Sequence, residues 1–184
     1  MNTIFTISGK SGSGKDTFAN IMREIYEKEN FKCITLHYAD LVKFYCTQYY
    51  GWNGEKDIAG RTLLQTVGTD MVRTKFPDYW AEAIAKFLAA ATYDFDYAFI
   101  PDARFPNEIE VVKKYNPFIT KAIRIKRYNE DGTSYVNPNF TERQKLHPSE
   151  ISLDNYEDFD YIVENYNLED LKLSAEIIIE DCKR

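Results

Sequence analysis

The sequence has few cysteines, no long apolar run and no excess of basic residues, and each shortage excludes a class of protein. Only three cysteines occur among the 184 residues, Cys33, Cys46 and Cys182, and no two of them form a CxxC pair. Neither a zinc site nor a disulfide framework is therefore predicted, and reduced thiols in a cytoplasmic protein are expected. No apolar stretch is long enough to cross a bilayer, and the N-terminal residues lack the pattern of a signal peptide.

The charge balance argues against a large polyanionic partner. Acidic residues outnumber lysine and arginine by 29 to 23, which gives a formal net charge of −6. A broad surface for nucleic acid or for an anionic membrane needs an excess of basic residues, so neither partner is expected. A local basic cleft for a small anion stays compatible with this total. Hydrophobic residues make up 44% of the chain, which predicts one globular domain over residues 1–184.

Short apolar segments alternate with helical patterns along most of the chain. The predicted strands are 3–8, 33–37, 97–100, 119–125 and 161–163. This alternation predicts an α/β fold of three layers, with a five-stranded parallel sheet covered by helices on both faces.

Two segments interrupt the regular alternation. Residues 38–80 are mostly helical, with an expected break near Gly68, and are predicted to be an insert that binds the acceptor. A helix after Pro77 is expected to be capped by Asp78. The polar segment 128–150 is predicted to be a lid.

The strongest motif is GKSGSGKDT at residues 9–17, which follows the first predicted strand and opens a helix. This context predicts the three-layer fold of P-loop nucleotide-binding proteins. Glycines let backbone N–H groups turn towards phosphate oxygens, and the helix N-terminus adds partial positive charge. Lys15 is expected to reach the β- and γ-phosphates and to act in catalysis. The residues expected to bind ATP are Gly9, Lys10, Gly12, Ser13, Gly14, Lys15, Asp16 and Thr17.

The motif departs from the usual pattern at Asp16, where serine or threonine is expected. Asp16 could hold Mg²⁺ through a water molecule, and Thr17 could supply the missing hydroxyl. Both are candidate metal ligands, and the sequence leaves open which one faces the metal. The NKxD tetrapeptide of guanine-specific GTPases is absent. A small chain with a helical insert and a polar loop before the last strand favours a nucleotide kinase.

Further segments extend the pattern along nearly the whole chain. In order after the loop they are ADLVKF (39–44), RTLLQTVGTD (61–70), YW (79–80), IPDARFPNE (100–108), HPSE (147–150) and DYIVENYNLEDL (160–171). With the loop, this series resembles the phage-type deoxynucleoside monophosphate kinases of the P-loop nucleoside-monophosphate kinase group. The resemblance implies transfer of a phosphoryl group from ATP, with Mg²⁺, to a deoxynucleoside monophosphate, in the cytoplasm of a bacterium or a phage-infected cell.

The same resemblance implies an acceptor site. Its residues would be Lys43, Arg61, Gly68, Thr69, Trp80, Asp102, Arg104 and Glu108. A monophosphate carries close to two negative charges near neutral pH and needs cations, which Lys43, Arg61 and Arg104 supply. Asp102 ends the third strand, where it could hold Mg²⁺ through water or orient the acceptor in catalysis.

Each of these residues also has a purely structural interpretation. Lys43 and Arg61 could be solvated helix charges, Trp80 could belong to the core, and Asp102 could cap the following turn.

The lid supplies the last predicted catalytic residue. Kinases of this group place lid arginines on the transferring phosphoryl group, where they stabilise developing charge. Arg143 is the only arginine within the loop; Lys145 lies nearby, and Arg127 follows the fourth strand. His147 is left open between a phosphate contact and an ordinary surface residue.

Alternative functions also fit the loop. One is dephospho-coenzyme A kinase or another small-metabolite kinase, and a second is a nucleotide-binding module without transfer activity. A nucleic-acid-handling ATPase is disfavoured by the acidic balance. The sequence leaves open which bases are accepted, whether ribose is rejected, and whether the protein forms a homodimer.

Overall fold

The computed structural model describes residues 2–115 and 118–183. Its strands are β1 (Thr3–Gly9), β2 (Cys33–Thr35), β3 (Tyr97–Ala103), β4 (Ile119–Arg127) and β5 (Tyr161–Asn165). They form one parallel sheet in the order β2-β3-β1-β4-β5, which confirms the predicted sheet. Because β1 lies at the centre, the loop that follows it emerges in the middle of the carboxyl edge.

The helices are α1 (Lys15–Lys28), α2 (Tyr38–Tyr50), α3 (Ile58–Gln65), α4 (Tyr79–Ala90), α5 (Pro106–Lys114), α6 (Glu142–Lys145), α7 (Pro148–Ile151) and α8 (Leu168–Cys182). A π-helical segment, Thr66–Arg73, continues directly from α3. No helix among residues 2–115 and 118–183 is both long enough and apolar enough to cross a membrane.

Two separate apolar clusters cover the two faces of the sheet. Side chains alternate along β1, so that Ile4 belongs to one cluster and Phe5 to the other. The cluster of Phe5 includes side chains of α1 and α8, and the cluster of Ile4 includes side chains of α2, α4 and α5. Every residue of β1 is buried, as expected for a central strand of a three-layer α/β fold.

The predicted insert lies between β2 and β3 and differs in detail from the sequence pattern. Within it, α3 begins at Ile58, because the Asp57 side chain accepts a hydrogen bond from the Gly60 amide at 2.7 Å. The expected break near Gly68 is a change to π-helical winding. There a Cβ at Gly68 would lie 3.2 Å from the Val42 side chain, so this close packing against α2 favours glycine.

Asp78 precedes α4 as predicted, but the predicted cap was wrong. Its side chain makes no capping hydrogen bond and instead accepts one from the side-chain amide of Asn107 at 2.8 Å. Asp78 therefore ties α4 to α5. The predicted lid, residues 128–150, contains the short helix α6 and the start of α7, which ends at Ile151.

Candidate active site

The glycine-rich loop turns from β1 into α1 at the carboxyl edge of the sheet. Gly14 stands immediately before α1 with φ of 96°, a left-handed conformation that glycine adopts without strain. A Cβ at Gly14 would lie 2.8 Å from the Asn165 side-chain nitrogen, which donates a hydrogen bond to the Ser13 carbonyl. A Cβ at Gly9 would lie 2.7 Å from the carbonyl oxygen of Ile125. The loop is thus packed closely against the neighbouring strands.

Lys15 lies in the first turn of α1 with only 6% of its surface exposed. Its ammonium group donates a hydrogen bond to the Lys10 carbonyl at 2.9 Å, so it spans the loop from inside. Burial, and then the nearby Arg104 cation, lower the pKa of Lys15 to about 7. Anionic phosphate oxygens beside this amine would favour its charged form.

Asp16 and Thr17 are both exposed in the same turn. The Asp16 carboxylate lies 3.4 Å from His37 Nε2, and the other ring nitrogen of His37 lies 3.4 Å from Asp40. The hydrogen bond to His37 lowers the pKa of Asp16, and the same contact raises the pKa of His37. Asp16 is therefore an ionised oxygen donor, a type that Mg²⁺ accepts.

The donor set for Mg²⁺ is sparse. No cluster of three His, Cys, Asp or Glu residues with ligand geometry occurs in the described part of the chain. This arrangement fits a Mg²⁺ ion that is held mainly by substrate phosphates and water, with one or two carboxylates from the protein.

A cavity of about 490 Å³ lies between the loop, the insert and the end of β3. The predicted site residues that line it are Gly12, Lys15, Asp16, Lys43, Arg61, Gly68, Thr69, Trp80, Asp102, Arg104 and Glu108. The predicted residues Gly9, Lys10, Ser13, Gly14, Thr17 and Arg143 do not line this cavity in the described structure. The structure therefore brings the residues predicted for the acceptor together with Lys15 in one cleft.

Asp102 is fixed by the first turn of α2. Its two carboxylate oxygens accept hydrogen bonds from the backbone amides of Tyr38 and Ala39, each at 3.0 Å. Burial raises the pKa of Asp102, while these amides and His37 act in the opposite direction. The carboxylate caps a helix distant in sequence rather than the turn that follows it, and so joins the insert to β3.

Glu108 is almost fully buried, and its carboxylate is occupied by protein donors. It accepts hydrogen bonds from the backbone amides of Arg104 at 2.6 Å and Phe105 at 3.1 Å, and pairs with Arg73 at 2.5 Å. Burial raises the pKa of Glu108, and Arg73 opposes that rise. Glu108 thus holds the backbone at Arg104 and orients Arg73.

Arg73 is a cleft residue that the sequence analysis missed. Its guanidinium lies 3.9 Å from the centre of the Phe105 ring and lines the cavity. The available signal was its position four residues after Thr69, a spacing that places both residues on one helical face.

Trp80 is a core residue with one edge on the cleft. Only 1% of its surface is exposed, and its indole N–H donates to the Gly68 carbonyl at 2.9 Å. This bond holds the π-helical segment against α4. The packing interpretation therefore describes the position of Trp80 in this structure.

Three further cations border the cleft, and each has a protein partner. Lys43 pairs with Asp40 at 2.7 Å, and Arg61 donates from Nε to the Lys56 carbonyl at 2.8 Å. Arg104 donates from Nη1 to the Gly9 carbonyl at 3.2 Å. All three side chains are half-buried, which leaves part of each accessible from the cleft.

The predicted lid cation lies apart from this cleft. Arg143 is exposed and makes no hydrogen bond or ion pair with residues 2–115 or 118–183. Lys145 pairs with Glu142 at 2.7 Å. His147 accepts a hydrogen bond from the Ser149 amide at 3.2 Å and is the N-cap residue of α7. Burial lowers the pKa of His147.

Two residues to which sequence reasoning gave no role contact the loop directly, one at the end of β4 and one in the lid region. Arg127 donates to the Gly12 carbonyl at 2.8 Å and stacks on the Tyr135 ring at 4.2 Å. Glu150 accepts a hydrogen bond from the Ser11 amide at 3.0 Å. The only signal for Glu150 was its place in the HPSE segment.

Several solved structures share this fold at low sequence identity. The APS kinase of Mycobacterium tuberculosis in complex with AMPPNP and APS matches with TM-score 0.53 and 11% identity, over 100% of this chain and 98% of that chain. A sugar kinase from Janibacter sp. HTCC2649 matches with TM-score 0.55 and 14% identity, over 98% and 95%. The tunicamycin resistance protein of Deinococcus radiodurans matches with TM-score 0.54 and 14% identity, over 99% and 96%. These likenesses confirm the predicted P-loop kinase fold.

A comparison with curated protein sequences found no match. The family model for deoxynucleotide monophosphate kinase, in contrast, matches residues 36–174, which is more than half of the chain. The match begins after the phosphate loop, so the loop at residues 9–17 is evidence independent of it. The family and the enzyme class predicted from sequence are confirmed: the chain belongs to the deoxynucleotide monophosphate kinase family and is a nucleoside monophosphate kinase.

Proposed function

We propose that this enzyme transfers the γ-phosphoryl group of ATP, as its Mg²⁺ complex, to the phosphate of a deoxynucleoside monophosphate. The products are a deoxynucleoside diphosphate and ADP. The observation that carries this proposal is the shared cleft, in which Lys15 of the phosphate loop and the cations Lys43, Arg61 and Arg104 line one cavity. Donor and acceptor phosphates bound there would lie close enough for direct transfer.

The donor end depends on Lys15 and the loop amides. The Lys15 ammonium donates a hydrogen bond to the Lys10 carbonyl, a weaker partner than a phosphate oxygen. We infer that the ammonium exchanges this carbonyl for the β- and γ-phosphates. It then stabilises charge that develops on the transferring group.

The acceptor end depends on cations that are already oriented. Arg104 is fixed through its backbone by Glu108, and Arg73 is fixed by the same carboxylate and by Phe105. These two guanidinium groups, with Lys43 and Arg61, would bind the acceptor phosphate. No strong general base is required, because the attacking phosphate oxygen is largely deprotonated at neutral pH.

Mg²⁺ bound to ATP supplies charge neutralisation on the phosphate oxygens. Asp16 is the protein group best suited to orient that ion through a water molecule, because it is ionised and lines the cleft. Thr17, on the same turn but outside the cavity lining, is the second candidate.

The insert at residues 38–80 and the lid at residues 128–150 are proposed to close over the bound substrates. Closure would exclude water that otherwise hydrolyses ATP. Arg143 would act in catalysis only if this movement carries it from the surface to the transferring phosphoryl group.

The decisive experiment is an acceptor panel with ATP-Mg²⁺ and the purified full chain. Deoxynucleoside monophosphates, ribonucleoside monophosphates and dephospho-coenzyme A are tested side by side, with ADP release measured for each. We expect turnover with at least one deoxynucleoside monophosphate and none with dephospho-coenzyme A. Turnover with dephospho-coenzyme A alone would establish the rival kinase, and ATP binding without any product would indicate a non-catalytic module.

A further inference from the structure

The lid region brings a carboxylate, rather than an arginine, to the phosphate loop. Glu150 stands in α7, and its side chain is 9% exposed. One carboxylate oxygen accepts a hydrogen bond from the Ser11 amide at 3.0 Å, and the other accepts one from Arg104 Nη1 at 2.7 Å. Glu150 thus bridges the loop and a cation predicted to bind the acceptor.

The Ser11 amide and the Arg104 guanidinium are donors of the kinds that bind phosphate groups. Backbone amides of a glycine-rich loop and an arginine guanidinium are the usual partners of phosphate oxygens. A carboxylate presents two anionic oxygens to them, as part of a phosphoryl group would. Glu150 and Lys15 line the same cavity, so the carboxylate lies within the space that the substrates need.

Further polar contacts hold the lid region and the turn that follows α7 beside the loop. Asp154 pairs with Lys10 at 2.9 Å and with Arg124 at 3.0 Å. The Asn137 side-chain amide donates to the Ser11 hydroxyl at 3.0 Å. The lid and the turn that follows α7 therefore rest on the outer turn of the loop through several polar contacts, and Glu150 is the one that also engages Arg104.

We propose that Glu150 is an internal competitor of the substrate phosphates, whose carboxylate occupies their position and leaves when they bind. This inference rests on the proposed function, because it assumes that the loop binds a triphosphate. Its departure would free the Ser11 amide and Arg104 together. One movement would then open both the donor and the acceptor positions.

The test measures binding rather than turnover. Glu150→Gln keeps the size of the side chain and removes its charge, and Glu150→Ala removes the contact entirely. Affinity of the full-length protein is measured by calorimetry for a non-hydrolysable ATP analogue and for inorganic tripolyphosphate. We expect both variants to bind both probes about tenfold more tightly than the wild type, since a hydrogen bond to a charged group contributes that order of free energy.

Glu142→Gln is the matched control, because it removes a negative charge from the same lid region. Glu142 is exposed and pairs only with Lys145 in the described structure. We expect its affinity for both probes to stay within about twofold of the wild type, as for exposed ion pairs. An equal gain in this control would mean that general charge, and not the Glu150 contact, limits binding.

Two outcomes would overturn the proposal. Unchanged or weaker binding by both Glu150 variants would show that the carboxylate does not compete with phosphate. If kcat, measured separately, also falls while affinity is unchanged, Glu150 is instead a positioning residue for Arg104. Failure of the proposed function looks different, because the wild type itself would then bind no triphosphate or transfer no phosphoryl group to any acceptor.

Discussion

The ammonium group of Lys15 and the carbonyl oxygen of Lys10 are 2.9 Å apart, so a hydrogen bond between two of its own residues closes the phosphate loop. This contact holds the amine at the position from which it can reach a bound triphosphate. The contact also satisfies one N–H donor of the Lys15 ammonium group, which is nearly buried.

Lys15→Ala is expected to lower kcat/KM for phosphoryl transfer by at least 10²–10³-fold, because it removes a cation from the transferring group. Coupled ADP release measures the rate, and circular dichroism checks that the fold is intact. Lys172→Ala, which removes an exposed lysine of α8, is the control and should retain full activity. A Lys15→Ala enzyme with the wild-type rate would refute the assignment of the phosphate loop.

Glu108→Gln is expected to destabilise the fold by about 3 kcal/mol, since it leaves Arg73 without its carboxylate in a buried position. Urea unfolding measures the change. The exposed pair of Glu82 and Lys86 provides a matched control, and Glu82→Gln should change the free energy of unfolding by less than about 0.5 kcal/mol.

The pairing itself is tested by combining Glu108→Gln with Arg73→Met. The double variant should be more stable than Glu108→Gln alone, because the unpaired charge is gone. Strict additivity of the two single changes would show that the ion pair is not the source of the effect.

Trp80→Phe is expected to lower the free energy of unfolding by about 1–3 kcal/mol, because the buried Gly68 carbonyl loses its indole donor. KM for the acceptor should change by less than about threefold if the ring serves mainly in packing. A rise in KM of tenfold or more without loss of stability would indicate that Trp80 contacts the base or the sugar.

Arg143→Ala tests whether the lid carries an arginine to the reaction. If closure brings Arg143 to the phosphoryl group, kcat should fall about 10³-fold, with little change in substrate affinity. Lys145→Ala removes a neighbouring charge that is paired with Glu142 and should leave kcat unchanged. Wild-type kcat in the Arg143→Ala enzyme would remove this residue from the mechanism.

The sheet and the phosphate loop could be predicted because their signals are local. Each strand is a short apolar segment bounded by polar residues, and the loop motif lies directly between β1 and α1. Strand ends were less accurate: β3 extends to Ala103, three residues beyond the predicted end, so Asp102 lies within the strand. Pairing with β1 continues through the Ser8–Ala103 register, and a propensity pattern does not contain that information.

The partners of the site residues could not be predicted, because they are distant in sequence. Glu108 and Arg73 are 35 residues apart, and Glu150 and the Ser11 amide are 139 apart. The family resemblance implied a substrate-binding role for Glu108, but the burial of Glu108 and its three hydrogen-bond donors come from tertiary packing. The same limit explains Asp102, for which a cap on the following turn was the structural alternative and which caps α2 instead.

The attachment of α2 to Asp102 fixes the first turn of the helix to β3, so that a tilt of the helix would pivot about that turn. Both carboxylate oxygens of Asp102 accept hydrogen bonds from the first turn, whereas the far end of the helix, at Gly51, is 13 residues or roughly 20 Å away. A tilt of about 10° about the first turn would move the far end of α2 by about 3 Å and leave Tyr38 nearly in place. Small rotations at the end of β3 would therefore be amplified into larger displacements at the far end of α2.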